Sequence, residues 1–417
     1  MRSVVTIAVT QYLTYLKQAS PEANQLLTIL FYSDKRHIKK EDLNMKNSRI
    51  RTCLLGLAGV LFFGAVFEGA WAQNSKSLDT LIQAAKKEGQ LTVIALPHDW
   101  VNYGEMIETF SKKYGIKVNE LNPDGSSGEE IEAIKANKNN KGPQAPDVID
   151  VGLSFGPQAK QAKLIQPYKV STWDTIPVNV KDRDGYWYGD YYGVLAFEIN
   201  KSIVKNIPTD WPDLLKPEYK GKFALAGDPR SANQAIMAVG AASVSFGKKY
   251  ENAAAGLDFF NKLNNAGNFV PVIAVPGTVA SGETPITVRW DYNALANRDK
   301  SAGNPEIGVV IPKTGVVAGV YIQAISAYAP HPNAAKLWME FLYSDEGQLI
   351  WLKGYGHPVR YQDLVKRKVI PAEIAAKMPP AQSYQKAVFP SLEQQEAAKK
   401  IIASDWDKIV QVNITKQ

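Results

Sequence analysis

A two-lobed α/β fold is predicted by three features of the sequence. Helix-period and strand-like segments alternate from residue 77 to 163, a second alternating series begins at residue 223, and an aromatic strand-like run lies between them. A chain of 417 residues with 45% apolar and 21% charged side chains can bury a core in each lobe.

In the first series, Leu78, Leu81, Ile82 and Ala85 stand at helical spacing, and Gly89 ends a helix over 77–88. A strand over 91–96 follows. The order then repeats as helix 105–113, strand 116–121, helix 129–136, strand 147–151 and helix 155–163. Alternation of this kind predicts a parallel sheet wrapped by helices, with ligands beyond the carboxyl ends of the strands. Residues 186–200, YWYGDYYGVLAFEIN, read as a strand crossing from the first lobe into the second. The second series has strand 223–225, helices 232–239 and 254–263, strand 286–290, and returning strands over 307–311 and 321–327. From Asp363 the pattern is helical, broken at Pro371, Pro379, Pro380 and Pro390. The expected division is 73–197 plus 309–362 for one lobe and 198–308 plus 363–417 for the other.

The leading segment sets the compartment. From Met45, Lys46, Arg49 and Arg51 precede an apolar stretch of 15 residues, Cys53 to Phe67, and Ala70-Trp71-Ala72 precedes Gln73. This is the layout of a secretory signal peptide over 45–72, and the stretch falls short of the roughly 20 residues that span a bilayer. The mature protein is expected in the periplasm; an uncut signal acting as an anchor is the alternative. Residues 1–44 would bury that basic region far from the terminus, so they are expected to be a non-native upstream extension, with translation starting at Met45.

Composition narrows the chemistry. Residues 1–72 hold 9 basic and 5 acidic side chains, leaving 39 against 36, or +3, for the rest, with no basic run that would track a phosphate backbone. Nucleic acid is not an expected partner. Cys53, the single cysteine, lies in the leader, so no disulfide, cysteine zinc site or thiol nucleophile is expected in the mature chain. No G-x-S-x-G, H-E-x-x-H, P-loop or G-x-G-x-x-G motif occurs. No cofactor is expected.

The loops after strands carry the candidate site. Asn122-Pro-Asp-Gly-Ser126-Ser127-Gly128-Glu129 supplies glycines and a helix N-terminus that suit a polar or anionic oxygen, although Ser126-x-x-Glu129 also fits a capping box. Asp228-Pro-Arg230-Ser231-Ala232 repeats the arrangement; Arg230 can fork onto a ligand carboxylate or phosphate, or pair with a neighbouring acid. Asp99-Trp100 and Trp290-Asp291-Tyr292 set aromatic faces beside carboxylates at two strand ends, joined by Asp190, a combination that attracts an organic cation. Packing in the core with one polar tip satisfied is the alternative for these aromatics.

Two stretches resemble one family. Pro208-Thr-Asp-Trp211-Pro-Asp-Leu214-Leu-Lys-Pro217-Glu-Tyr219-Lys-Gly221-Lys222, and His331-Pro-Asn-Ala-Ala335 through Gly347-Gln348 with Gly356-His-Pro358-Val, are similar to the periplasmic solute-binding proteins of ABC importers, in the branch of ferric-ion, polyamine, thiamine and phosphonate binders. The resemblance implies a type 2 periplasmic binding-protein fold with an interlobe cleft, a monomer, and delivery of a small solute to a membrane permease without chemical change. Polyamine binders of the branch use Trp and Asp near the strand that here ends in Trp290-Asp291, which implies an amine-bearing, polyamine-like or zwitterionic solute. Ferric binders use an adjacent tyrosine pair there, and this chain has Tyr292 followed by Asn293. Ferric capture is the first alternative and a secreted hydrolase the second.

Overall fold

Apolar, β-branched and aromatic segments fold into buried strands because both faces of the central sheet are covered, so β5 (Tyr188–Asn200) and β9 (Ala318–Ser326) are buried along almost their whole length. The computed structural model describes residues 77–415. The expected signal peptide over 45–72, the expected extension over 1–44 and Cys53 lie outside the described residues.

The first lobe opens with helix α1 (77–88), then β1 (Gln90–Ile94), α2 (Tyr103–Tyr114), β2 (Lys117–Leu121), α3 (Ser127–Ala136), β3 (Val148–Gly152), α4 (Phe155–Gln161) and the short β4 (Ile165–Gln166). β5 leads to the second lobe, made of β6 (Phe223–Leu225), α5 (Asn233–Ser245), α6 (Ala253–Asn265), α7 (Pro276–Ser281), β7 (Ile286–Trp290), α8 (Asp291–Ser301) and β8 (Ile307–Val310). β9 returns the chain. α9 (Pro332–Leu342) and α10 (Asp345–Lys353) then pack on α2, where Trp338 meets Phe110 edge-on at 5.1 Å. After β10 (His357–Pro358), α11 (Tyr361–Arg367) and α12 (Ala372–Ala375), the last helix α13 (Leu392–Ile409) packs on α5 and α6, with Trp406 against Phe260 at 5.8 Å.

The expected all-parallel sheet is corrected to a mixed one. β1 pairs parallel with β2, and β6 with β7, but the larger sheet runs β3-β9-β5-β7-β6 with β9 antiparallel to β3 and β5, and β5 antiparallel to β7. The reason is connectivity: β9 runs antiparallel to β5 and pairs with β3, β4 and the first half of β5, while the second half of β5 pairs with β7 and β8. β4 adds to β9, and β8 and β10 to β5. Asp147 ties β1 to β3, since its N–H donates to Thr92 O at 2.8 Å and its Oδ2 accepts the Thr92 N–H at 2.7 Å.

The lobes meet at several points. The Gly128 N–H, at the start of α3, donates to Ser231 O at 3.3 Å. A Cβ on Gly152 would stand 2.1 Å from Cγ of Asn233, so only glycine lets the end of β3 approach the start of α5 this closely. At the far side, Gln158 of α4 donates to Glu396 of α13 at 2.9 Å, and the Lys399 ammonium lies 3.3 Å above the Phe155 ring centre. Among the described residues no helix is long and apolar enough to cross a membrane.

Candidate functional site

A cleft of about 520 Å³ lies where these elements converge. The first lobe contributes Asp99 and Trp100 after β1, Ser126 and Ser127 at the start of α3, Glu130 one turn on, and Asp150 of β3. Ser126 begins α3 because its hydroxyl accepts the Glu129 N–H at 3.4 Å while the Glu129 carboxylate accepts the Ser126 N–H at 2.7 Å. The second lobe contributes the turn ending in Ser231, together with Arg289, Asn293 and Asn297.

The floor on the first-lobe side is a network of phenols and buried carboxyls. The Trp100 indole N–H donates to the Tyr191 hydroxyl at 2.8 Å, which donates to Asp150 Oδ2 at 2.7 Å. The Asp150 N–H donates to Glu130 Oε2 at 2.8 Å. Gln323 of β9 donates to the Tyr103 hydroxyl at 2.8 Å and to Asp190 Oδ2 at 3.2 Å. Burial pushes Asp150 up to about 7, with hydrogen bonds from Tyr191 and Tyr103 and the contact with Asp190 holding it back. Burial, then the neighbouring Asp150 charge, raises Asp190; burial likewise raises Glu130. Trp100 stands over this floor, edge-on to Tyr321 at 5.6 Å and to Tyr292 at 5.8 Å.

The second-lobe wall carries a neutralised cation. Arg289 Nε lies 2.7 Å from Glu198 Oε2 with both side chains buried, and Asn297 donates to Glu198 at 3.2 Å. Burial raises Glu198, and Arg289 and Asn297 counter it. The lining therefore holds six carboxylates, Asp99, Asp124, Glu129, Glu130, Asp150 and Asp228, against the single guanidinium of Arg289. Among the described residues no group of three or more His, Cys, Asp or Glu is arranged to hold a metal ion.

The model of the bacterial extracellular solute-binding protein family matches residues 144–396. This chain belongs to that family. The "Spermidine/putrescine-binding periplasmic protein" of Escherichia coli strain K12 is 26% identical over 297 residues, covering 67% of this chain and 80% of that one. The "Putative 2-aminoethylphosphonate-binding periplasmic protein" of Salmonella typhimurium is 25% identical over 285 residues, covering 66% and 80%. Among solved structures, the periplasmic binding protein AfuA from Actinobacillus pleuropneumoniae, with fructose-6-phosphate bound, superposes with a TM-score of 0.59 at 21% identity over 78% of this chain and 99% of that one. The two-lobed type 2 periplasmic binding-protein fold with an interlobe cleft is thus the fold of this solute-binding protein.

Of the residues singled out from the sequence, Asp99, Trp100, Ser126, Ser127 and Ser231 line the cleft of this solute-binding protein. Six others do not, each for a physical reason. Trp290 is fully buried; its indole sits over Gly319, where a Cβ would lie 2.1 Å away, and donates to the Tyr321 hydroxyl at 3.3 Å. Asp291 is fully buried at the start of α8, accepting the Val194 N–H at 3.0 Å and the Tyr384 hydroxyl at 2.7 Å. Tyr292 packs one layer behind Trp100, and Asp190 lies behind Asp150. Arg230 takes its alternative role: it forks onto Asp228 at 2.9 and 2.7 Å and reaches Asp407 at 3.0 Å. The Gly128 N–H is used by Ser231 O.

The sequence reasoning passed over Glu130, Asp150, Asn293, Asn297 and Tyr321. For Asp150 a signal existed: it is the one charge inside the strand VIDVG, which is otherwise apolar and fully buried. A carboxylate in such a strand has to find partners or stay protonated. Glu130 sits in the first turn of a helix, where acids are favoured anyway, and so carried no distinguishing mark.

Proposed function

We propose that this protein is the periplasmic capture component of an ABC importer, binding a small amine-bearing organic solute unchanged and presenting it to a membrane permease. The observation that carries the reading is the charge of the cleft. Six acidic side chains border it against one guanidinium already paired with the buried Glu198. Asp228 is taken by Arg230 and Asp99 lies 3.5 Å from Lys300, so the acidity that a solute meets comes from Asp124, Glu129, Glu130 and Asp150, none of which faces a cation of the lining. Such a wall repels anions and attracts ammonium groups, while Trp100 and Tyr321 offer ring faces and edges to the carbon chain and the cation. The spermidine, putrescine and aminoethylphosphonate named for relatives all carry an amine, which supports the same class. Closure then follows from differential affinity, because the solute touches both lobes only when they are together.

A thermal-shift screen with spermidine, putrescine, 2-aminoethylphosphonate, fructose-6-phosphate and ferric citrate tests it. One or more of the three amines is expected to raise the melting temperature by mass action, and to be recovered unaltered by chromatography. A shift with only fructose-6-phosphate, a visible iron-phenolate band with ferric citrate, or a transformed amine would overturn the reading.

A further inference from the structure

We propose that the Asp150–Asp190 carboxyl pair, with Glu130 beside it, is the seat of the solute's ammonium, and that the pair gives up a proton to solvent as the ammonium enters. This seat rests on the amine reading above and adds to it a place and a proton stoichiometry.

The three acids come from different elements, α3, β3 and β5, and are all buried, with Glu130 and Asp150 lining the cleft and Asp190 directly behind. The titratable groups facing them are Glu129 from α3, Tyr103 from α2, Tyr191 from β5, Tyr292 from α8, Tyr321 from β9, and Tyr343, which follows α9. Each of these is an acid or a phenol. Arg289, the cation of the opposite wall, is held by Glu198. Asp150 and Asp190 are both buried, each acts electrostatically on the other, and Asp150 Oδ1 is buried without a hydrogen-bond partner. Two such neighbouring carboxyls, away from water and without a cation, do not both ionise, so at neutral pH the pair keeps a proton.

An independent observation comes from the other wall. Asn293 of α8 lines the same cleft, is 5% exposed, and its Oδ1 is buried without a hydrogen-bond partner. A buried unpaired acceptor is costly and calls for a donor. An ammonium carries three donors and no acceptor, and so suits carboxyl oxygens on one side and an amide oxygen on the other. On entry its own N–H bonds stay intact. One carboxyl O–H bond breaks, its electron pair stays on the carboxylate, the proton passes to the buffer, and the positive charge of the ammonium takes over the role of that proton.

Calorimetric titration with spermidine and putrescine, at equal pH in phosphate and in Tris, reads the proton directly from the difference in apparent enthalpy. The expected result for wild type is release of about one proton near neutral pH, with the dissociation constant rising about tenfold per pH unit from pH 8 to pH 6. Asp190→Asn gives Asp150 a neutral donor in place of the shared proton, so release should fall towards zero and the pH slope should flatten. Glu130→Gln should weaken binding about tenfold while leaving the release in place, and provides a second variant should the first not fold. Amine binding with no proton released, or full release from Asp190→Asn, overturns the exchange and leaves the amine reading standing. Failure of both amines and of 2-aminoethylphosphonate to bind overturns the amine reading, and the seat with it.

Discussion

In the middle of β3, Asp150 borders the cleft, whereas at the end of β7 Trp290 and Asp291 have no exposed surface at all. Both places combine carboxylates and aromatic rings. The difference is position in the sheet. β3 is the end strand of the series β3-β9-β5-β7-β6, while β7 lies inside it, between β5 and β6. The α5 side chain Gln234 closes the end of β7 further, accepting the Trp290 N–H at 3.2 Å and donating to Ala226 O at 2.7 Å. A carboxylate beside aromatic rings on a strand therefore marks chemistry only where the neighbouring elements leave it uncovered.

The contrast can be broken most directly at Trp290. Removing a fully buried indole leaves a cavity, and Trp290→Ala is expected to lower stability by about 3–5 kcal/mol in urea denaturation, with spermidine affinity of the folded fraction little changed. Retained stability with lost affinity would put the end of β7 in the site and erase the distinction. Asp291 sharpens it through pH. Burial pushes its carboxyl from 3.8 up to about 6, so between those values the folded chain holds a proton that the unfolded chain has released. The stability it contributes is therefore complete at low pH and is lost as pH rises through about 6, at about 1.4 kcal/mol per unit. Asparagine does not titrate, so the stability of wild type minus that of Asp291→Asn should fall between pH 4 and pH 7; a pH-independent difference would mean that solvent reaches this carboxyl. The smallest effect is expected at Gly152. A valine there keeps β3 intact but drives into Asn233, and should weaken spermidine binding about tenfold, equivalent to about 1.4 kcal/mol against closure. Small-angle scattering of Gly152→Val should show no compaction on adding spermidine at concentrations that compact the wild type.

Local pattern told the element positions well. Strands 223–225 and 286–290 and helix 77–88 stand where periodicity and glycine punctuation put them. Partnership was another matter. Nothing in YWYGDYYGVLAFEIN states that its first half pairs with β9 and its last residues with β7 and β8, because pairing depends on which way distant segments run. The same limit governs the site. The capping box that competed with ligand contact at Ser126 forms, and Ser126 and Ser127, singled out from the glycine-containing loop and the helix start, border the cleft as well. Arg230 was ambiguous because its acid partner, Asp228, stands two residues away, and that local pair is the one that forms. Asn293 and Tyr321 join the cleft only because α8 and β9 meet there in three dimensions.

The half-buried indole of Trp100 is the one tryptophan, of nine in the chain, among the residues that line the cleft. Its N–H is fixed to Tyr191 and its ring borders the space a guest would fill. The molecule thus contains its own optical probe: a cation arriving beside that ring alters its emission, so occupancy is readable, without any added dye, as the part of the native fluorescence change that Trp100→Phe abolishes.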